Sequence, residues 1–457
     1  MTPISRRPIR RVLVANRGEI AVRIQRACRE LGIETAQVYS EADRDSMAVQ
    51  QADFALCIGP ARSVDSYLRA DAVVAAAQAL RADAIHPGYG FLSENAAFAR
   101  LCEREGIAFI GPSGDVIGTM GDKASARATA VAAGVPVTPG SSGTIVSAAA
   151  ASEVAAGLGY PVILKAVAGG GGRGMRIVEA EADLAGHFDA AVREAKAAFG
   201  DGAMYVEKYL TGIRHVEIQI LADGETVLHL GERDCSLQRR NQKLIEESPS
   251  PGMSPAMREA MGAAAVRLCR HVGYRSAGTI ECIVDPVRDV FYFMEMNTRV
   301  QVEHPVTECV TGIDIVKEQI RIAQGDGLSI RQGDVRLTGH AIECRINAED
   351  PERGFAPCPG TLGDVRFPGG PGIRVDSHVH SGAVVPPYYD SLIAKLIAWG
   401  RDRDEALARM RRALAELRID GVATTAPFIA RLIESDTFRQ GAVHTRFVEQ
   451  FIRESTP

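Results

Sequence analysis

The 457-residue chain is too long for one ordinary hydrophobic core, and its 46% apolar content can fill about two to four domains. A formal charge of −5, from 52 basic and 57 acidic residues, excludes a general nucleic-acid or membrane binder, so any anion site must be local. Nine cysteines with no CxxC or regular framework read as reduced cytosolic thiols, and no apolar run is long enough for a membrane span.

The N-terminal MTPISRRPIRR is basic but has no apolar h-region, so it reads as a short tail and the expected location is cytoplasmic. From residue 11 to about 112, the runs VLVAN, TAQVYS, FALCIG, DAIHPG and AFIGP alternate with helical patterns. Between the first two, Ile20, Ile24, Ala27, Cys28 and Leu31 share one helical stripe, which predicts a βα repeat and an open parallel sheet. VANRGEI carries one glycine after its strand and falls short of a dinucleotide fingerprint. HPGYGFLSEN, residues 86–95, follows the fourth strand where open sheets present ligand groups. Tyr89 and Glu94 are second-rank candidates there, beside the plainer reading of a structural turn.

A helix is predicted from Lys123 to Ala133, closed by Gly134. YPVILKAVAGGGGRGMRIV, residues 160–178, then reads as a strand ending on Lys165, a loop of adjacent glycines and a second β-branched run. Backbone without side chains can lie against an anion and point several N–H groups at it, so the stretch reads either as a phosphate cover or as a plain hairpin tip. A Walker loop is rejected, because its lysine follows the glycines and opens a helix. With the Ala- and Ser-rich segment before it and the helix of Leu184, Phe188, Val192, Ala195 and Phe199 after it, the stretch forms a unit suited to a lid. In RHVEIQIL, His215, Glu217 and Gln219 alternate with Val216, Ile218 and Ile220, which predicts a half-buried antiparallel strand. After Gly325, mixed β patterns and a helix from Asp404 predict a third domain.

The chemistry concentrates in GTIECIV and VFYFMEMNTRVQVEHPVTE, which flank the turn sequence DPVRD and should pair as a hairpin centred near residue 288. Glu281 then faces Glu295 at roughly 5 Å, a destabilising arrangement unless a positive charge lies between them. Asn297 shares the face, and two carboxylates with an amide oxygen suit Mg²⁺ or Mn²⁺; the plainer reading is a solvated acidic face. Continued alternation would place Arg299, Gln301 and Glu303 along the same edge. Upstream, ERDCSLQRRNQK puts Arg233, Arg239, Arg240 and Lys243 within eleven residues, a cluster that could receive phosphate or carbonate or simply make surface ion pairs.

KAVAGGGGRGM, ERDCSLQRRNQK, EMNTRVQVEHPVTE and GHAIECRINAEDP, with VANRGEIAVRI and HPGYGFLSEN, resemble the biotin carboxylase branch of the ATP-grasp enzymes over about residues 10–450. The resemblance implies an α/β and α+β multidomain fold: an N-terminal α/β domain over 1–120, an ATP-grasp domain over 121–330 with a mobile glycine-rich lid at about 137–209, and a C-terminal domain over 331–457. It also implies that Lys123 and Lys165 hold the nucleotide phosphates beneath Gly171 and Gly172. Glu207, Lys208 and Leu210 would read adenine and His215 the ribose. Glu281, Glu295 and Asn297 would bind two Mg²⁺ or Mn²⁺ ions. Lys243, Arg299, Gln301 and Val302 would form the bicarbonate site, Glu303 the base, and Arg345 the group facing the biotin ureido oxygen. One departure is Asn241, which stands where many members carry a nucleotide-contacting histidine.

The implied reaction is ATP-dependent carboxylation of biotin by bicarbonate through carboxyphosphate, as the first half-reaction of an acetyl-CoA-type carboxylase in fatty acid synthesis. No AMKM-like biotinylation motif occurs in the sequence, so biotin is expected on a separate carrier protein, with carboxyltransferase subunits as further partners and a homodimer as the assembly. Two other readings stand beside it: an ATP-grasp ligase acting on a different carboxylate, and a non-catalytic nucleotide-binding subunit.

Overall fold

The structure, a computed structural model, describes residues 8–167 and 174–455. Of the tail expected at 1–11, residues 1–7 lie outside the described residues, as does the glycine run at 169–172 with Gly171 and Gly172, whereas Ile9 is buried and Arg11 opens the first strand, so the tail is shorter than expected.

The five N-terminal apolar runs form β1 (Arg11–Val14), β2 (Glu34–Ser40), β3 (Phe54–Gly59), β4 (Ala84–His86) and β5 (Ala108–Phe109), parallel in the order β3-β2-β1-β4-β5. The order reverses between β1 and β4, where open sheets leave a crevice beyond the strand ends. Asn16 ties the two loops there, its Nδ2 donating to the carbonyls of Pro87 and Tyr89 at 2.7 Å each. Helix Gly18–Glu30 buries Ile20, Ile24, Ala27 and Cys28 as their spacing predicts, but every residue from 18 to 25 is buried, so neighbours surround its first two turns.

β6 (Val162–Ala166), β7 (Met175–Val178) and β8 (Met204–Lys208) make a small antiparallel sheet in the order β7-β6-β8. Helices Ala148–Leu158 and Glu181–Phe199 cover it, with Leu164, Val206, Leu184 and Phe188 in a core of their own. Lys165 stands opposite Met175, so the glycine stretch does join two antiparallel strands. Gly174 sits at φ +74° with a Cβ position only 2.7 Å from that of Ala166, which leaves room for glycine alone.

The largest sheet has eight strands: β9 (Arg214–Asp223), β10 (Val227–Arg239), β11 (Gln242–Ser248), β12 (Arg275–Asp285), β13 (Val290–Asn297), β14 (His340–Asn347) and two more at Ile373–Ser377 and Leu392–Gly400. β13-β12-β9-β10-β11 is continued by β14, Leu392–Gly400 and Ile373–Ser377, so the three long strands after residue 330 extend the sheet, while six short ones pair into three two-stranded sheets. Helix Pro255–His271 packs its Met261 and Leu268 against Ile218 and Ile280 on one face. A half-buried strand leaves one face of β9 to water, but Glu217 and Gln219 are fully buried, because the Arg233 side chain of β10 bonds both and is itself held by Thr307 of helix His304–Thr311. No helix of the described residues is long and apolar enough to cross a membrane.

Candidate active site

Four neighbouring strands place Arg233, Glu217, Glu281 and Glu295 in one row across the buried polar face, Arg233 opposite Glu217, Glu217 opposite Glu281, and Glu281 opposite Glu295. The hairpin register is the one the DPVRD turn predicts; a bulge leaves Met294 without an opposite residue and moves the pairs nearer the turn by one. Three carboxylates and one guanidinium in a row need further positive charge. Lys243, from β11, supplies part of it: its Nζ donates to Glu217 at 2.8 Å, Glu281 at 3.0 Å and Glu303 at 2.6 Å. The Nε2 of His215 lies 3.0 Å from the second oxygen of Glu281.

β13 ends at Asn297, so the strand alternation expected through Glu303 does not hold. The side chains converge nevertheless. Arg299 donates to Asn297 Oδ1 at 2.9 Å, Gln301 Oε1 at 2.7 Å and Glu94 at 2.7 Å, and Gln301 donates to Glu281 at 2.9 Å. Glu94 also accepts from the backbone N–H of Thr298 at 3.1 Å, which brings the loop after β4 to this edge. Tyr89 of the same loop donates instead to Glu19. The carbonyl of Val302 accepts from the buried Lys395 at 2.8 Å. Glu303 closes the edge as the residue before helix His304–Thr311, one oxygen on Lys243 and the other 3.0 Å from Arg345, whose Nε also donates to Glu246 at 2.6 Å.

The residues expected at the nucleotide surround the three-stranded unit. Lys165 pairs with Glu207 at 2.5 Å, Arg127 approaches the other oxygen of Glu207 at 3.6 Å, and Lys208 donates to the carbonyls of Gly159 and Tyr160. Leu210 is buried beyond β8, and Lys123, first in helix Lys123–Ala132, acts electrostatically on Glu295. Asn241 and Arg240 form the two-residue turn between β10 and β11 with φ +65° and +50°, a conformation asparagine tolerates better than most residues.

Environment pushes the facing acids apart. Burial, then the charge of Glu281, raise the Glu295 carboxyl, whereas Lys243 and His215 overcome burial and hold Glu281 well below the usual carboxylate range. Glu303 is likewise held low against burial by Lys243, Arg345 and Arg233. Burial raises Glu246 to about 7 despite Arg345.

The oxygens of Glu281, Glu295 and Asn297 form a hard donor set on one face, and Glu295 stands opposite Glu281 as a like-charge pair that a cation between them would relieve, so these residues fit a Mg²⁺-like cation. The upstream basic residues do not form one cluster. Arg233 is fully buried in the row on Glu217, Arg239 lies over the Phe355 ring at 4.2 Å, Arg240 is in the turn, and Lys243 reaches Glu217, Glu281 and Glu303. Two residues without a sequence signal also belong to the site, Glu246 on Arg345 and Gln238, which donates to His215 Nδ1 at 2.7 Å from a strand position that gives no sign of that contact.

Family models match as "Biotin carboxylase, N-terminal domain" over residues 8–117, "Carbamoyl-phosphate synthase L chain, ATP binding domain" over 122–331 and "Biotin carboxylase C-terminal domain" over 343–450. Biotin carboxylase 1 of Bacillus subtilis (strain 168) is 56% identical over 445 residues, 97% of this chain and 99% of the relative. A crystal structure of a biotin carboxylase-β,γ-ATP complex from Campylobacter jejuni superimposes with TM-score 0.92 at 48% identity, covering 97% of this chain and 99% of that one. The biotin carboxylase domain dimer of Hydrogenobacter thermophilus 2-oxoglutarate carboxylase, solved with MgADP, ADP and bicarbonate, gives 0.90 at 50% identity, with 97% of each chain covered. With three domains in the matching order and full-length identity above half, the chain belongs to the biotin carboxylase family and is an ATP-dependent ligase.

Proposed function

We propose that this enzyme carboxylates biotin on a separate carrier protein, from bicarbonate and ATP through carboxyphosphate, in the cytoplasm and as a homodimer. The observation that carries the reading is Glu303 held between Lys243 at 2.6 Å and Arg345 at 3.0 Å, a base flanked by one cation for bicarbonate and one for the ureido oxygen. The product is passed to carboxyltransferase subunits of an acetyl-CoA-type carboxylase; the 2-oxoglutarate carboxylase relative makes a keto acid the competing final acceptor. The working division is 1–120, 121–330 with a lid at about 137–209, and 331–457.

Bicarbonate is a poor nucleophile, so Lys243, Arg299 and Gln301 orient it while Glu303 takes its proton and its oxygen attacks the γ-phosphorus, releasing ADP. Lys123 and Lys165 hold the phosphates beneath Gly171 and Gly172, Glu207, Lys208 and Leu210 take adenine, His215 the ribose, and Asn241 stands at the nucleotide's edge. Glu281, Glu295 and Asn297 would hold two Mg²⁺ or Mn²⁺ ions, which when bound neutralise charge on the transferred phosphoryl group. Carboxyphosphate splits to CO₂ and phosphate, the phosphate takes the ureido N–H proton, and Arg345 stabilises the enolate-like oxygen by fixed charge while nitrogen captures CO₂. Lid closure keeps water from the intermediate.

The test is ADP release by the purified protein with Mg²⁺ and ATP. Dependence on bicarbonate and stimulation by free biotin are expected; turnover with amino acids and none with biotin would overturn the reading.

A further inference from the structure

Arg233 is the largest fully buried side chain of the described residues, and each of its three nitrogens donates to a protein group. Its Nε donates to Glu217 Oε1 at 2.5 Å, Nη1 to Gln219 at 2.6 Å and Thr307 at 2.9 Å, and Nη2 to Thr279 at 3.2 Å. Those partners lie on β9, on β12 and on the helix that opens directly after Glu303. The other oxygen of Glu217 accepts from Lys243, which in turn reaches Glu303. We propose that Arg233 is a positioning residue: its guanidinium fixes Glu217, and through Glu217 the location of the Lys243 ammonium against the base Glu303.

The geometry of each group supports this. Glu217 is wholly buried, so it has no water to replace a lost donor, and a carboxylate whose Oε1 is fixed in plane can present Oε2 in only one direction. Lysine has a single charged point on a flexible stem, and its place is therefore set by its acceptors. Three acceptors surround Lys243 in the structure, and two of them are expected to turn to other partners in the working enzyme: Glu281 toward metal and Glu303 toward bicarbonate. Glu217 is the acceptor that stays, because Arg233 keeps it. The same guanidinium pins Thr307, one turn into the helix whose start places Glu303. Base and ammonium are thereby referred to one rigid fork.

This inference rests on the proposed function, and the experiment separates the two. The wild-type protein is assayed first for bicarbonate-dependent, biotin-stimulated ADP release; its absence would sink the proposed function. With that activity in hand, Arg233→Lys, which keeps the charge and loses the fork, is expected to raise the KM for bicarbonate about 10- to 100-fold while the KM for MgATP stays within about twofold. Thr307→Val, which removes the contact toward the helix after Glu303 and leaves Glu217 bonded, is expected to raise the bicarbonate KM by a smaller factor, about two- to fivefold, with the KM for MgATP unchanged. If Arg233→Lys does not fold, the pair Arg233→Met with Glu217→Gln removes both buried charges together, and the same bicarbonate-specific rise is expected from it. An unchanged bicarbonate KM in the folded variant, or equal rises for bicarbonate and MgATP, would overturn the positioning role.

Discussion

Glu246 and Glu343 stand opposite each other on β11 and β14, both fully buried, and the two differ in their partners. Arg345 donates to Glu246, while neither oxygen of Glu343 has a hydrogen-bond partner among the described residues. Burial, with Glu246 nearby and against the pull of Lys395, raises the Glu343 carboxyl well above its ordinary value. A raised acid binds its proton more tightly folded than unfolded, so its contribution to stability is lost as pH climbs from the ordinary carboxylate range through the folded value. Glu343→Gln, which keeps the shape and removes the proton, should therefore raise the unfolding midpoint at pH 8 by a few degrees, a change of about 1–2 kcal/mol, with the advantage fading toward pH 4.5. Thermal melts of both proteins across that range check it; a constant difference would mean that Glu343 is not the titrating group.

The Glu246 carboxyl, raised to about 7, gives a separate pH signature. Below that value it takes up a proton and its charge-assisted bond to Arg345 weakens to a neutral one. Carboxylation of free biotin should fall on the acid side near pH 7, while bicarbonate-dependent ATP hydrolysis without biotin should not fall there, since Glu303 is held ionised far below that range. Glu246→Gln should flatten the acid limb of the biotin reaction. Coincident limbs for the two reactions in the wild type would show that another group controls both.

How much of this site could be read from the chain depended on how local each relationship is. The facing of Glu281 and Glu295 was legible because a short turn and two strands fix one register, and the parallel N-terminal sheet was legible from its repeated apolar runs. The burial of Glu217 was not, since the side chains that enclose it, Arg233 and Lys243, come from two other strands, and Thr307, which holds Arg233, lies far along the chain. The basic run at 233–243 misled for a geometric reason: a strand, a two-residue turn and a returning strand send neighbouring cations to a buried row, an aromatic ring and a hairpin tip. Arg299, Gln301 and Glu303 were rightly grouped, although the backbone that brings them together leaves the strand at Asn297.

Because Glu295 lies opposite Glu281 and its carboxyl is raised, losing it should cost metal-dependent turnover and little else. Glu295→Ala is expected to lower Mg²⁺-dependent ADP release by more than about 100-fold, and relief of the like-charge pair should leave metal-free stability within about 1 kcal/mol of wild type or slightly higher. Thermal melts with and without MgATP complete the measurement: a midpoint rise is expected in the wild type and none in the variant. An intact ATP-induced rise with full turnover would place the cation elsewhere.

Arg345 should separate the two halves of the reaction. Its guanidinium spans Glu246 and Glu303, so truncation to alanine leaves two buried carboxylates without that cation and is expected to cost about 3–5 kcal/mol of stability. Arg345→Lys keeps a positive charge in place but offers one point where the fork made two bonds, and it is the variant on which kinetics should be read. Loss of oxygen stabilisation at the ureido group should lower biotin carboxylation by about 10²- to 10³-fold, the scale seen when one oxyanion donor is removed. Bicarbonate-dependent ATP hydrolysis should fall by less than about tenfold, since Lys243 still holds the first oxygen of Glu303. The comparison is made in one assay series, measuring ADP and carboxybiotin from the same reactions. Equal losses in both products would mean that Arg345 serves Glu303 alone, and its place at the biotin would have to be given up.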